Sequence, residues 1–166
     1  MYGAGPKKLS AQLNISFDEA KALQKKYFET FPKIKVLMDS IVASVKETKI
    51  ARSPLDGRSI DFNGIDWDNG GMVAHAMNQA KNLPFQGAGA STTKKALILI
   101  DREIKSKKLD ARIVNCVHDE ILVECHVSIA KEVAKIVEEK MIEGFNYYAP
   151  DVPMMVKPAI GIHWIH

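Results

Sequence analysis

Residues 111–125 are Ala111-Arg112-Ile113-Val114-Asn115-Cys116-Val117-His118-Asp119-Glu120-Ile121-Leu122-Val123-Glu124-Cys125. Two runs rich in β-branched residues flank three ionisable ones, and each run is of strand length rather than helix length. The chain must reverse between Val117 and Glu120, which leaves only His118 and Asp119 to make the turn. A carboxylate on so tight a turn is rigidly placed and open to solvent, as a hard-cation site requires. Asp and His also favour turns for conformational reasons alone. Taken by itself, the pentapeptide 117–121 leaves both readings open.

Downstream of this hairpin, Ile129, Val133, Ile136, Val137 and Met141 recur at helical spacing and predict an amphipathic helix over 128–141. Residues 153–162 are expected to form a final strand. Upstream, Ala96, Leu97, Ile100 and Ile104 mark the second half of a helix expected over 86–107. A shorter helix over 72–81 is expected to end near Leu83-Pro84, because proline disfavours a helical residue before it. Further back, Asp56-Gly57 is a turn signal between 50–52 and 59–62, a short hairpin or irregular loop. Pro32 can open a helix running to about residue 46. Ser16 and Glu19 form an S-x-x-E capping box, which starts a helix at Phe17 and carries it to about Thr30. Residues 1–8, with two glycines and a proline, have the character of the end of an element. Helices followed by strand, strand, helix and strand make an α+β chain.

The 166 residues fit one domain or two small lobes, and 46% hydrophobic with 26% charged residues is the balance of a globular protein. No apolar run reaches the roughly 18 residues of a membrane span, so no membrane partner is expected. The opening residues lack the layout of a signal peptide. Cys116 and Cys125 are too few for a disulfide framework or a zinc site, which predicts a reducing, cytoplasmic setting. Net charge is only +3, but residues 1–60 hold 11 Lys and Arg against 6 Asp and Glu, and residues 101–166 hold 9 against 11. A basic part beside a mildly acidic one suits a polyanion held next to a cation site. Solvated lysine-rich helix faces would give the same counts.

Two other clusters bear on chemistry. Asn82 and Gln86, four apart at a helix start, offer amides that can read acceptors in a DNA minor groove. The small residues that follow, Gly87-Ala88-Gly89-Ala90, leave room for a sugar-phosphate backbone, and Lys94 and Lys95 lie further along. A helix cap and a helix–helix contact would explain the same residues. At the start, Tyr2 beside Gly3 could stack on a base.

Together and in this order, the clusters resemble the DNA polymerase I-type, or family A, DNA polymerases. Val117-His118-Asp119-Glu120 is similar to the family's motif C, Asn82-Leu83-Pro84-Phe85-Gln86-Gly87 to its Asn-x-Pro-x-Gln-Gly segment, and Tyr2-Gly3 to the end of its fingers helix. The ending Gly161-Ile162-His163-Trp164-Ile165-His166 is similar too, and Tyr2-Gly3-Ala4-Gly5 with Leu55-Asp56-Gly57-Arg58 resembles the phage branch. The resemblance implies part of the fingers over 1–80, and over 81–166 a carboxy-terminal palm with a small antiparallel sheet backed by helices. It also implies template-directed nucleotidyl transfer to a primer 3′-hydroxyl by two Mg2+ ions, in a bacterial or phage-infected cell. Asp119 is then the metal ligand, with His118 and Glu120 beside it in catalysis. Gln86, Asn82, Tyr2, Gly3, Arg58, Lys94 and His118 are the implied DNA contacts. Primer–template DNA and deoxynucleoside triphosphates are the implied partners.

The departures are specific. The family's Asp-x-Ser-x-x-Glu motif, called A, has no match here, and neither has the basic half of the nucleotide-gripping fingers helix. Asn78 and Ser91 stand where the family has an Arg and an acidic residue. Activity is therefore expected only together with an amino-terminal polymerase fragment, the isolated chain being inactive. The alternative is a non-catalytic duplex-binding remnant. A phosphohydrolase using His118, Asp119 and His75 fits less well, because such dyads sit on helices.

Overall fold

The computed structural model describes residues 5–164. Tyr2 and Gly3 lie outside the described residues. The chain divides into two compact units, Met1–Gln86 and Gly87–His166.

In the first unit the first described element is helix α1, Pro6–Leu13, so residues 6–8 begin an element where they were expected to end one, and residues 1–4 lie outside the described residues. Gly5 stands at the N-cap and Pro6 at the first helical position, where its missing N–H costs nothing. Helix α2, Phe17–Thr30, begins where the capping box requires, with Ser16 and Glu19 satisfying each other's backbone N–H groups. Helix α3, Pro32–Thr48, runs a little past its expected end and stops at Lys49 in the left-handed conformation. Strands β1, Ile50–Arg52, and β2, Ser59–Asp61, then pair antiparallel with Ala51 opposite Ile60. Ile41, Val45, Ala51, Phe62, Ala76, Met77 and Ala80 form the buried core of this unit. The Lys49 ammonium lies 3.5 Å from the ring centroid of Trp67, whose Nε1 donates to the Phe62 carbonyl at 3.1 Å. The loop after β2 is thereby fastened to the end of α3.

Helix α4, Gly70–Ser106, is one helix where two were expected. A proline inside a helix costs about 3 kcal/mol and removes one backbone hydrogen bond. Pro84 is nonetheless within α4 and buried. Packing explains the difference, since Ala76, Met77, Ala80 and Leu83 before it belong to the first core and Ile100 and Ile104 after it to the second. Apolar burial on both sides of the proline outweighs its local penalty.

The second unit contains β3, Ala111–Val117, and β4, Glu120–Cys125, paired antiparallel, then a 3-10 turn at Val127–Ile129 and helix α5, Ala130–Asn146. The two strands coincide with the two expected runs. Ile100, Ile104, Val133 and Val137 are the buried core, and Ala111, Ile113, Ile121, Val123 and Cys125 pack on it from the hairpin. A Cβ built on buried Gly144 of α5 would stand 2.9 Å from the Ala96 backbone nitrogen, so α4 and α5 touch closely there. Among the described residues this sheet has only these two strands. The strand expected at 153–162 is absent, and the segment carries no regular structure. Its residues still alternate between half-buried Met154 and Val156 and exposed Met155 and Lys157. Pro153 and Pro158 cannot donate to a ladder, and among the described residues no strand pairs with the segment. The outcome is an α+β fold with two small antiparallel sheets.

Candidate functional site

The hairpin β3–β4 places the acidic residue that the sequence singles out. Val117 and Glu120 are its last paired residues, so His118 and Asp119 are the whole loop. His118 has φ 52°, whereas Asp119 does not enter the positive-φ region. Positive φ at the first loop position alone is the pattern of a II′ turn, where glycine is usual. His118 and Asp119 are both exposed, and Glu120 is half-buried.

A register shift between Ile113 and Asn115 inserts Val114 as an extra residue in β3. Ile113 pairs with Val123 on the core side; beyond the bulge it is Cys116 that pairs with core-facing Ile121, and Val117 with Glu120 on the other face. Bulges of this kind re-aim the residues that follow them. Trp164, 44 residues further on, donates from its indole Nε1 to Glu120 Oε2 at 3.2 Å. The terminal Trp is visible in the sequence, but its pairing with Glu120 is not. Cys125 packs in the core, where burial first and the Asp110 charge second push its thiol up, so it stays protonated and apolar.

In the first unit Asn82 and Gln86 lie one turn apart on α4. Gln86 is exposed, while the Asn82 side-chain oxygen is buried without a hydrogen-bond partner. Gly89, three residues beyond Gln86, is exposed and has nothing within 4 Å of where a Cβ would stand. Among the described residues nothing packs where its side chain would stand, unlike at Gly144. Lys94 is exposed, and Lys95 lies 4.1 Å from the ring centroid of Tyr147. Arg58 ends the loop between β1 and β2 and pairs through Nε with Asp56 Oδ2 at 2.8 Å. The expected residues thus fall into two groups: Arg58, Asn82 and Gln86 in the first unit, and Lys94, His118, Asp119 and Glu120 in the second. Among the described residues no three His, Cys, Asp or Glu side chains come together as a set able to hold a metal ion. Asp119 is one exposed acidic residue on a two-residue loop, not part of such a set.

The whole chain, residues 1–166, matches the model for DNA polymerase family A, and the protein belongs to that family. It is 34% identical over 158 residues to DNA polymerase I of Aquifex aeolicus, covering 95% of this chain and 25% of that protein. It is also 32% identical over 154 residues to the DNA polymerase of Bacillus phage SP01, covering 90% of this chain and 17% of the phage protein. Among solved structures, the POL domain of Pol1 from M. smegmatis, in complex with DNA primer-template and dNTP, superimposes with a TM-score of 0.78 at 31% identity. That match covers 86% of this chain and 25% of the mycobacterial one. The chain therefore spans about a quarter or less of the length of these relatives. No helix among the described residues is long and apolar enough to cross a membrane.

Proposed function

We propose that this chain is a carboxy-terminal part of a DNA-directed DNA polymerase, with residues 1–80 belonging to the fingers and 81–166 to the palm. The observation that carries the reading is the exposed Asp119 carboxylate on a two-residue turn, in a chain that matches family A along its whole length. In the reaction a primer 3′-hydroxyl attacks the α-phosphorus of a deoxynucleoside triphosphate, and pyrophosphate leaves. Divalent cations, Mg2+ in this reading, would lower the pKa of the hydroxyl and neutralise charge on the leaving group.

Asp119 fits one end of such a site, because a carboxylate on a short turn loses little freedom when it binds a hard cation. Glu120 does not supply the second acid. It stands on the strand, on the face shared with Val117, and its carboxylate is engaged by Trp164. A two-metal centre needs a further carboxylate, and nothing in these 166 residues matches the Asp-x-Ser-x-x-Glu motif. That acid lies outside these 166 residues, as does the basic fingers helix for the triphosphate. Within this chain Gln86 and Asn82 would read the minor groove, Gly89 would let the sugar-phosphate backbone approach, and Lys94 and Arg58 would meet phosphate. His118 would face the primer end.

Primer extension with Mg2+, using the chain together with an amino-terminal family A polypeptide that carries motif A, tests this reading. Extension is expected from the pair, not from the chain alone, and Asp119→Asn should lower it at least about 100-fold. Extension by the purified chain alone would refute the missing-carboxylate argument. A non-catalytic duplex-binding remnant is the second reading, favoured by exposed Gln86 beside open Gly89 on α4, a surface that can meet a duplex without any metal ion. Duplex binding with no extension from any pairing would select it.

A further inference from the structure

The loop between β1 and β2 fixes one arginine at several points. Ser53 N–H donates to the Arg58 carbonyl at 2.8 Å, and Gly57 N–H donates to the Ser53 carbonyl at 3.1 Å, which closes residues 53–58 into a tight loop. Gly57 has φ +70°, a conformation that only glycine adopts at no steric cost, and this lets the chain turn into Arg58. The Asp56 carboxylate then takes Arg58 twice. Oδ1 accepts the Arg58 backbone N–H at 3.2 Å, and Oδ2 pairs with the side-chain Nε at 2.8 Å. Carbonyl, amide and side chain of Arg58 are all held.

The exposures of the pair are unequal. The Asp56 side chain is 5% exposed and that of Arg58 39%. An ordinary surface ion pair leaves both partners in solvent and contributes little. Here the acid is the buried anchor and the guanidinium is the part presented outward. A guanidinium held through Nε keeps a planar fork for a phosphate, and fixing it beforehand spares much of the side-chain entropy that binding would otherwise cost.

We propose that Asp56 is a positioning residue that holds Arg58 ready for a DNA phosphate. This rests on the reading of Arg58 as a DNA contact given above. The proposal predicts a sign opposite to plain electrostatics. Removing a carboxylate beside a polyanion-binding surface should tighten DNA binding if charge alone mattered. If Asp56 positions Arg58, removing it weakens binding although the surface becomes more positive.

The test is fluorescence anisotropy of a labelled primer–template duplex with the full chain, over a series of salt concentrations. Arg58→Ala is expected to weaken binding about 3- to 10-fold and to reduce the salt slope by about 1. Asp56→Asn and Asp56→Glu are each expected to weaken binding at least about 3-fold with Arg58 present, and to weaken it no further in the Arg58→Ala background. Arg58→Lys, which keeps the charge but has no Nε, leaves the loop's acid in place and serves where the Asp56 variants fail to fold. It is expected to bind as weakly as Arg58→Ala. Near-native binding by Arg58→Lys, or equal or tighter binding by Asp56→Asn, would overturn the positioning role while leaving Arg58 as a contact. Undiminished binding by Arg58→Ala would instead remove Arg58 from the interface, and the positioning role with it.

Discussion

The indole Nε1 of Trp164 donates to Oε2 of Glu120 over 3.2 Å, and so ties the end of the described chain to the strand that begins beside Asp119. Trp164 is 48% exposed, so the bond competes with water and contributes about 1 kcal/mol locally. Trp164→Phe keeps the ring and removes the donor. Limited proteolysis within residues 150–164 should then speed up about fivefold, with little change in the melting temperature. Identical cleavage rates in the two proteins would show that the bond contributes nothing in solution.

His118 carries φ 52° on the loop of the hairpin, where most L-residues are strained. Relief of that strain by glycine is partly offset by the extra freedom glycine gives the unfolded chain. His118→Gly should therefore leave stability unchanged or raise it by up to about 1 kcal/mol, and the β-branched His118→Val should lower it by about 1–2 kcal/mol. Urea denaturation measures both. Equal stability of the valine and glycine variants would contradict the turn geometry.

Gly144 meets backbone rather than a yielding side chain. Its added Cβ would lie 2.9 Å from Ala96 N and 3.1 Å from Ala96 Cα. Gly144→Ala should cost about 1–3 kcal/mol, and Ala96→Gly should not rescue it, because the clashing nitrogen remains. Thermal unfolding of the single and double variants decides the point, and full rescue would mean that the Ala96 methyl is the real obstacle.

Glu19 is held below the usual glutamate range, mainly by the Ser16 hydroxyl at 2.7 Å and then by the Ser16 backbone N–H at 2.9 Å. A carboxyl with a lowered folded-state pKa stabilises the ionised form. Its contribution is full above the ordinary glutamate range and fades as the pH falls through the lowered value. Exchange protection in the first turn of α2 should follow that course, and Glu19→Gln should flatten it. A pH response that survives in the glutamine variant must come from another group.

Local rules made much of this fold legible. The hairpin strands and the start of α2 came from β-branched runs and from one Ser–Glu pair, signals that need no distant partner. Helix α1 was not among the expected helices, although Gly5-Pro6 followed by Leu9 and Leu13 carries a start signal and helical spacing. The break expected at Pro84 failed for a non-local reason, because the apolar residues on both sides are buried in cores formed with distant segments. Residues 153–162 have the composition of a strand, but a strand exists only with a neighbour to bond to. For the site, the turn bearing His118 and Asp119 could be read from the chain. The hold of Asp56 on Arg58 and that of Trp164 on Glu120 could not, since both depend on side-chain directions that composition does not encode.

The extra residue at Val114 makes the far end of the hairpin sensitive to counting rather than to chemistry. Excising that one valine would leave every ionisable side chain and every pairing beyond it in place, yet it would remove the local bend and extra twist that the bulge gives β3. A length change that a surface loop absorbs without harm would here swing the acid at the tip away from whatever it faces.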